Sequence, residues 1–330
     1  MEKTRILVRL PNWLGDMVMA AGALQQVQHF FPGATVSVIV KKGLQDLLPF
    51  FPPTEQQFVF SKAGYPGPKG LWRFGRMIKQ QGPFDLYISF PDSFSSALMG
   101  FATGAKKRIG FKKEGREILL TNAFVKPKGL HRVEEYVNLL EQFTGKKARA
   151  VSVSLHHAFA KENATVINVN SEASSRRLTV SKAVEVIDAA RKALPGKIFL
   201  VGGPAEKAFV EQVFAGLQNK EGIESLAGKT SLGELAQVLA TARVVLTTDS
   251  GPAHLANALG TQTVVLFGAG NEANTAPYNK TAVRVTRLGQ LSCEPCTKNV
   301  CVRFATPQCL ERLETATIIQ TVNERREYGN

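Results

Sequence analysis

No stretch of the sequence approaches the roughly 18 uninterrupted apolar residues that a membrane-spanning helix needs. The N-terminus, MEKTRILVRLPNWLGD, lacks a cleavable apolar segment ending in a small-residue site. The expectation is a soluble, cytoplasmic protein. Cysteine is scarce, with Cys293, Cys296, Cys301 and Cys309 the only four in 330 residues, all in one C-terminal segment. In a reducing cytosol such a cluster reads as thiols rather than disulfides. Acidic side chains are few, 27 against 41 lysines and arginines, and the resulting charge of +14 favours anionic partners. Nucleic acid is disfavoured among them, because aromatics are only 8%, no nucleic-acid motif appears and the basic residues are spread out. Two nucleotide motifs are missing as well. No G-x-G-x-x-G follows the first strand, and GIESLAGKT has five residues between Gly222 and Gly228 where a P-loop has four. It reads as a turn.

What is present is an alternation of short apolar runs with amphipathic or Ala-rich stretches. Strands are expected at Arg5–Leu10, Thr35–Val40, Phe84–Phe90 and Lys107–Phe111, with helices at Met17–Phe30 and His131–Phe143. The second half repeats the rhythm. Strands are expected at Thr165–Asn170, Lys197–Val201, Ala242–Thr248 and Thr261–Phe267, and helices at Ser181–Ala193, Ala205–Leu217, Ser231–Ala240 and Pro252–Leu259. Gly64–Gly70 reads as a turn-rich loop. Alternation of this kind implies parallel sheets covered on both faces. The reading is α/β, with two Rossmann-like domains, 1–155 and 156–330, facing across a cleft and joined through Ser154–Asn163. A last helical pattern, Pro307–Glu327 with Thr306 as its N-cap, is one that can pack back on the first domain.

The most informative stretch is TTDSGPAHLANALG, from Thr247 to Gly260. An apolar strand ends at Asp249. Ser250 is placed to cap a helix, and Pro252 is tolerated in its first turn. Free N–H groups and the positive dipole end at such a junction can hold an anion, with Gly251 allowing close approach and His254 turned toward the same mouth. A well-capped surface helix is the plainer alternative. Ser174-Ser175-Arg176-Arg177 follows another strand, and its arginines can reach a diphosphate. In Val201-Gly202-Gly203-Pro204-Ala205-Glu206 a carboxylate is placed to accept from ribose hydroxyls. In the first half, Gly15-Asp16 opens a helix directly after a strand, so Asp16 is expected at the sheet's ligand-binding edge; a dipole-stabilising Asp is the alternative.

LPNWLGDMVMA, PDSFSSAL (Pro91–Leu98), TDSGPAHLANALG with its following VVLFG, and the tail CEPCTKNVC…C together resemble the ADP-heptose:lipopolysaccharide heptosyltransferases of glycosyltransferase family 9. The resemblance implies a GT-B fold, with the acceptor on the first domain and the sugar nucleotide on the second. It implies inverting, metal-independent transfer of heptose from ADP-heptose to the lipopolysaccharide inner core at the inner membrane surface, with no cofactor required. Asp16 matches the family's base. Arg176, Arg177, Glu206, Asp249, Ser250, Gly251 and His254 match or border donor-binding positions, and Trp13, Ser93, Lys107 and Lys112 are the acceptor-side candidates. Two departures stand out: SSRRLTV lacks the Trp-Pro that usually follows the basic pair, and HRVEEYVNLL has Glu135 where members carry Arg. Transfer of another sugar, another surface-glycan acceptor, or a nonenzymatic nucleotide-sugar binder are the competing readings. The cysteine spacing C-x2-C-x4-C-x7-C is compact enough for a structural zinc, with a metal-free thiol cluster as the alternative.

Overall fold

The computed structural model describes residues 3–328. It divides into two units, Met1–Val153 and Ser154–Asn330. The first contains β1 (Arg5–Arg9), α1 (Leu14–Phe30), β2 (Thr35–Lys41), β3 (Gln57–Phe60), α2 (Gly67–Lys79), β4 (Leu86–Ser89), α3 (Phe94–Thr103), β5 (Lys107–Phe111), β6 (Asn122–Phe124) and α4 (Arg132–Thr144). The second contains β7 (Ala164–Asn168), α5 (Val180–Ala193), β8 (Lys197–Leu200), α6 (Lys207–Gly216), β9 (Ile223–Ser225), α7 (Leu232–Thr241), β10 (Val244–Thr248), α8 (Gly251–Ala258), β11 (Gln262–Phe267), α9 (Glu272–Thr275), β12 (Val283–Arg287), α10 (Gln308–Glu311) and α11 (Thr315–Glu327).

Each unit holds a six-stranded, wholly parallel sheet. The first runs β3-β2-β1-β4-β5-β6 and the second β12-β11-β10-β7-β8-β9, which is the same order when counted from each unit's own first strand. This is the doubly wound Rossmann order, and its ligand crevice lies at the carboxyl ends of the strands where the order reverses. That switch point falls between β1 and β4 in the first unit, and between β7 and β10 in the second. The central strands are apolar because both faces are covered: Ile6, Leu7, Val8, Val38, Ile39, Ile88, Val244, Val245, Val264 and Val265 are fully buried.

The strands absent from the sequence reading are edges or short pieces. β3, β6, β9 and β12 are three to five residues long and partly exposed, so polar residues dilute the apolar signal. β9 lies inside the segment read as a turn. The α2 helix is the larger correction, because its Gly and Pro residues suggested a loop. Pro68 sits in the first turn, where no N–H is needed. Gly75 lets the helix approach α3, since a Cβ there would meet the Cβ of Ala102 at 2.5 Å. The terminal helical pattern is broken into α10 and α11. α11 buries Ile318, Ile319 and Val322 in the second unit's own core, against α5 and the strands β10–β12.

The expected linker, 154–163, is strapped to the second unit. Leu155 N–H donates to the Ala258 carbonyl at 2.8 Å, and a ring nitrogen of His157 meets the Leu259 carbonyl at 2.9 Å. The Lys161 ammonium donates to the carbonyls of Ala240 (2.8 Å) and Ala242 (2.9 Å) and to the Thr261 hydroxyl (2.7 Å), closing the C-terminal end of α7. Lys161→Met removes that cap and orphans two carbonyls, so it should lower stability by about 1–3 kcal/mol. Urea melts check this, and turnover should be retained. Among the described residues no helix is long and apolar enough to cross a membrane.

Candidate active site

In the first unit the loop after β1 carries the chain directly into α1. No side chain caps α1, and Trp13 stands at its N-cap position with extended backbone. Asp16 therefore lies in the first turn of the helix, at the positive end of the dipole. The matching turn after β4 is held rigidly: the Pro91 carbonyl accepts from the hydroxyls of Ser89 (2.9 Å) and Ser96 (3.0 Å) and from the fully buried Arg116 guanidinium. That turn presents Asp92 and Ser93. Ser93 caps α3 by accepting from Ser96 N–H at 3.3 Å.

Around Asp16 two cations are shared among three carboxylates. The Arg132 Nε lies 3.8 Å from Asp16 and its Nη1 3.1 Å from Glu135; Lys126 Nζ lies 3.0 Å from Asp92 and 3.1 Å from Glu135. Burial pushes the Asp16 carboxyl above the usual aspartate range, with Asp92 adding to the rise while Arg132 and Lys126 oppose it. Burial likewise holds Tyr136, which faces the same carboxylates, well above an ordinary phenol. Asp16 thus has raised basicity and keeps about a third of its side chain exposed (31%).

A cavity of about 840 Å³ opens beside this turn, lined among others by Trp13, Ser93 and Ser95 and by four cations, Arg9, Lys41, Lys42 and Lys62. No acidic residue lines it. Arg9 is buried, with its guanidinium bonded to the Leu10 and Ile39 carbonyls and to Asn12. Burial draws its pKa down to about 10, which leaves it charged at neutral pH. Lys41 lies 5.4 Å from the Trp13 ring centroid. The three lysines were missed because they come from two different strand ends, β2 and β3. The usable signal was their position just at or after a parallel strand's carboxyl end. Two acceptor candidates lie away from the cavity. Lys107 opens β5 at the opposite sheet edge, its ammonium over the Phe143 ring, and Lys112 is exposed past the end of β5.

In the second unit Asp249 follows β10 and is 4% exposed. Its Oδ2 stands 3.3 Å from Nη1 of Arg176. Burial raises the Asp249 carboxyl, and nearby Glu272 adds to the rise, against the pull of Arg176 and Arg287. The close approach of Asp249 to the next strand's loop requires Gly270, where a Cβ would lie 2.0 Å from Oδ2. Ser250 occupies the N-cap position of α8 without capping it. Its hydroxyl donates to the Thr248 carbonyl at 3.1 Å and accepts from Asn168 at 2.9 Å. Pro252 brings no N–H and Ala253 N–H donates to the Ser250 carbonyl at 3.1 Å, so the Gly251 N–H, with the positive end of the helix dipole, is what this junction offers an anion. His254 is buried within α8.

Arg176 and Arg177 part company in the structure. Arg176 turns to Asp249, whereas Arg177 stacks over the Phe209 ring at 4.7 Å. Glu206 ends the turn after β8 and reaches back over Gly203, the glycine whose Cβ would lie 2.7 Å from Glu206 Oε2. Asn168 and Asn170, not singled out from the sequence, tie the ends of β7, β8 and β10 together through Thr247, Ser250 and the Val201 carbonyl. The cysteine segment braces this site from outside: Ser175 bonds the carbonyls of Lys298 and Asn299, and Thr297 N–H donates to Ala269 at 2.7 Å. All four cysteines line one small recess, but among the described residues no three His, Cys, Asp or Glu side chains are arranged to hold a metal ion. The zinc reading therefore gains no ligand geometry. Burial, with Glu294, Cys296 and Cys301 nearby, pushes the Cys309 thiol up to about 11, suiting it to packing rather than to thiolate chemistry.

Residues 71–304 match the family model for glycosyltransferase family 9 (heptosyltransferase). The chain belongs to glycosyltransferase family 9. It is 24% identical to the lipooligosaccharide heptosyltransferase 2 of Campylobacter jejuni over 332 residues, covering 97% of this chain and 98% of that one. It is 25% identical to lipopolysaccharide heptosyltransferase 2 of Escherichia coli, covering 86% and 88%. Among solved structures it resembles E. coli ADP-heptose lps heptosyltransferase II, with a TM-score of 0.84 at 21% identity over 98% of this chain and 99% of that chain. This family 9 chain is a glycosyltransferase, and its paired Rossmann-like units are of the GT-B class expected from the sequence.

Proposed function

We propose that the protein transfers heptose, with inversion and without a required metal ion, from ADP-heptose to a sugar of the lipopolysaccharide inner core. The observation that carries this reading is the division of chemistry between the units. One has a desolvated carboxylate beside a cation-lined cavity; the other has an open helix N-terminus beside an arginine. Asp16 takes the proton from the acceptor hydroxyl as it attacks the anomeric carbon. The leaving ADP gains negative charge, which Arg176, the Gly251 N–H and the positive end of the α8 dipole offset where it develops. The Asp249 carboxylate accepts from sugar hydroxyls and Glu206 from the ribose. Arg9, Lys41, Lys42 and Lys62 fit an acceptor that carries carboxylates or phosphates, and Trp13 offers a face for a sugar ring. Support for the donor comes from the related E. coli enzyme, whose name specifies ADP-heptose. A lipopolysaccharide acceptor of the kind named for the relatives fits a cavity whose charged lining residues are all cations. The protein then works in the cytoplasm, at the inner face of the inner membrane.

The reading is tested by turnover of ADP-heptose with a panel of truncated lipopolysaccharide acceptors, alongside other ADP- and UDP-sugars. Transfer to an inner-core acceptor with inverted anomeric configuration, undiminished by chelator, is the expected result. Preference for another sugar nucleotide would replace the donor assignment.

Glu135 supplies a second check. It holds Arg132 and Lys126 partly away from Asp16. Glu135→Gln removes a negative charge and frees both cations, and each change favours the ionised Asp16. A base must be ionised to act, so the acidic limb of kcat/KM should move to lower pH in this variant. A limb that stays in place or moves upward would exclude this coupling.

A further inference from the structure

The first unit carries an exposed aromatic face that neither the cavity nor the Asp16 cluster uses. On α2 the buried residues Phe74 and Ile78 point into the core, while Lys69, Trp72, Arg76 and Lys79 recur at helical spacing on the outer side. On α3, Phe94 and Phe101 lie two turns apart and are exposed. Trp72 is 44% exposed, Phe94 44% and Phe101 41%, and the rings of Trp72 and Phe101 meet each other at 5.9 Å. Arg108 extends over the outer ring of that pair, 5.3 Å from the Phe101 centroid.

Cations predominate around this face. From Ser61 to Phe84 there are five lysines or arginines and no acid, and from Ser93 to Lys113 again five and none; at the margins Lys106 pairs with Asp85 at 2.8 Å and Lys113 lies 3.8 Å from Glu114. Aromatic rings flanked by long cationic side chains form a surface suited to the headgroup layer of a bilayer: the rings enter the boundary region while the cations meet anionic phosphates. Two copies of this chain pressed together here would instead bring cation against cation. Phe94 also sits between Ser93 and Ser95, which both line the cation-bearing cavity. The face thus leads from the cavity mouth outward.

We propose that the α2–α3 face, centred on Trp72, Phe101 and Arg76, docks the protein on an anionic lipid bilayer and presents the cavity to a lipid-linked acceptor. The docking itself stands on the geometry and charge of the face; its purpose rests on the acceptor reading above, and the experiment separates the two. The chain has two tryptophans, Trp13 and Trp72, so Trp13→Phe leaves Trp72 as the sole tryptophan, whose emission is excited selectively over that of the five tyrosines. This variant is mixed with vesicles of phosphatidylcholine alone, or with about a third phosphatidylglycerol, with and without brominated acyl chains.

The expected result is salt-sensitive binding to the anionic vesicles only, with Trp72 quenched by the brominated lipid. Both Arg76→Gln with Lys79→Gln and, separately, Trp72→Ser with Phe101→Ser should weaken that binding roughly tenfold or more. The second pair should keep its turnover on a deacylated, water-soluble acceptor while losing turnover on the same acceptor embedded in vesicles. Vesicle binding untouched by either pair overturns the proposal, as does binding without Trp72 quenching. So does a wild-type dimer that Trp72→Ser with Phe101→Ser dissociates, or affinity for duplex DNA equal to that for anionic vesicles. Absence of turnover on every acceptor would strike the proposed function and leave the vesicle result to decide the docking face.

Discussion

Asp16→Asn should lower turnover by about 10²–10⁴-fold while leaving ADP affinity nearly unchanged. The amide keeps the size and shape of the carboxylate but cannot take a proton at neutral pH. The affinity is spared because the groups assigned to the nucleotide, Arg176, Glu206 and the α8 N-terminus, belong to the other unit. Stability separates this role from the plainer one. If Asp16 served only to favour the positive end of α1, its loss would cost about 0.3–1 kcal/mol and activity would survive. The structure argues for the reverse. Burial raises the folded-state pKa of Asp16 above its unfolded value, so the ionised form is disfavoured in the folded protein at neutral pH. A neutral Asn relieves that penalty, and the melting temperature should hold steady or rise. Paired melting and steady-state measurements decide it: near-wild-type turnover in a less stable variant would remove Asp16 from catalysis.

The parts of the site that could be read from residues alone share a simple geometry. Asp16 and Asp249 each lie within a few residues of an apolar strand that turns straight into a helix, and a parallel sheet places such junctions at one edge. Their positions followed from local pattern together with the family motifs. What escaped notice depends on chain segments far apart in sequence. Lys41, Lys42 and Lys62 converge on Arg9 and Trp13 only through the β3-β2-β1 strand order. Glu135 gains meaning only when α4 sets it between Arg132 and Lys126.

Elements were lost where side chains answer to neighbours rather than to the backbone. Gly70 and Gly75 look like breakers, yet in α2 they are the residues that let Tyr65 and Ala102 come close. The short edge strands bury too little to keep an apolar rhythm. Ser250 shows the opposite error. Its type and place both suit a cap, but Asn168 at the end of β7 donates to its hydroxyl, which turns to the Thr248 carbonyl rather than to a helix N–H.

The adjacent arginines give the sharpest test of the donor site, because only the fold tells them apart. Their basic loop makes either one a phosphate ligand on paper. In the structure the short 3-10 turn Ser174–Arg176, pinned through Ser175 to the cysteine segment, aims Arg176 at Asp249. The next residue leaves the turn in extended conformation and lays its guanidinium on Phe209. Arg176 also keeps an Nε without a hydrogen-bond partner, beside the Asp249 Oδ2 that likewise lacks one. Buried polar atoms held ready in this way cost free energy unless a ligand completes them.

Arg176→Ala should therefore weaken ADP binding by about 1.5–3 kcal/mol, the range of a hydrogen bond to a charged group, or roughly 10- to 150-fold in Kd. Arg177→Ala should cost less than about 1 kcal/mol, the loss of one exposed cation–π contact. Removing Arg176 also withdraws the cation that opposes the burial of Asp249, so the Asp249 pKa should climb further and ADP-sugar binding should weaken more at mildly acidic pH than at pH 8. Calorimetry of ADP and of the intact ADP-sugar across that range measures both effects. Equal losses for the two arginines, or unchanged affinity in a folded Arg176→Ala protein, would mean that the diphosphate lies elsewhere than between this turn and the start of α8.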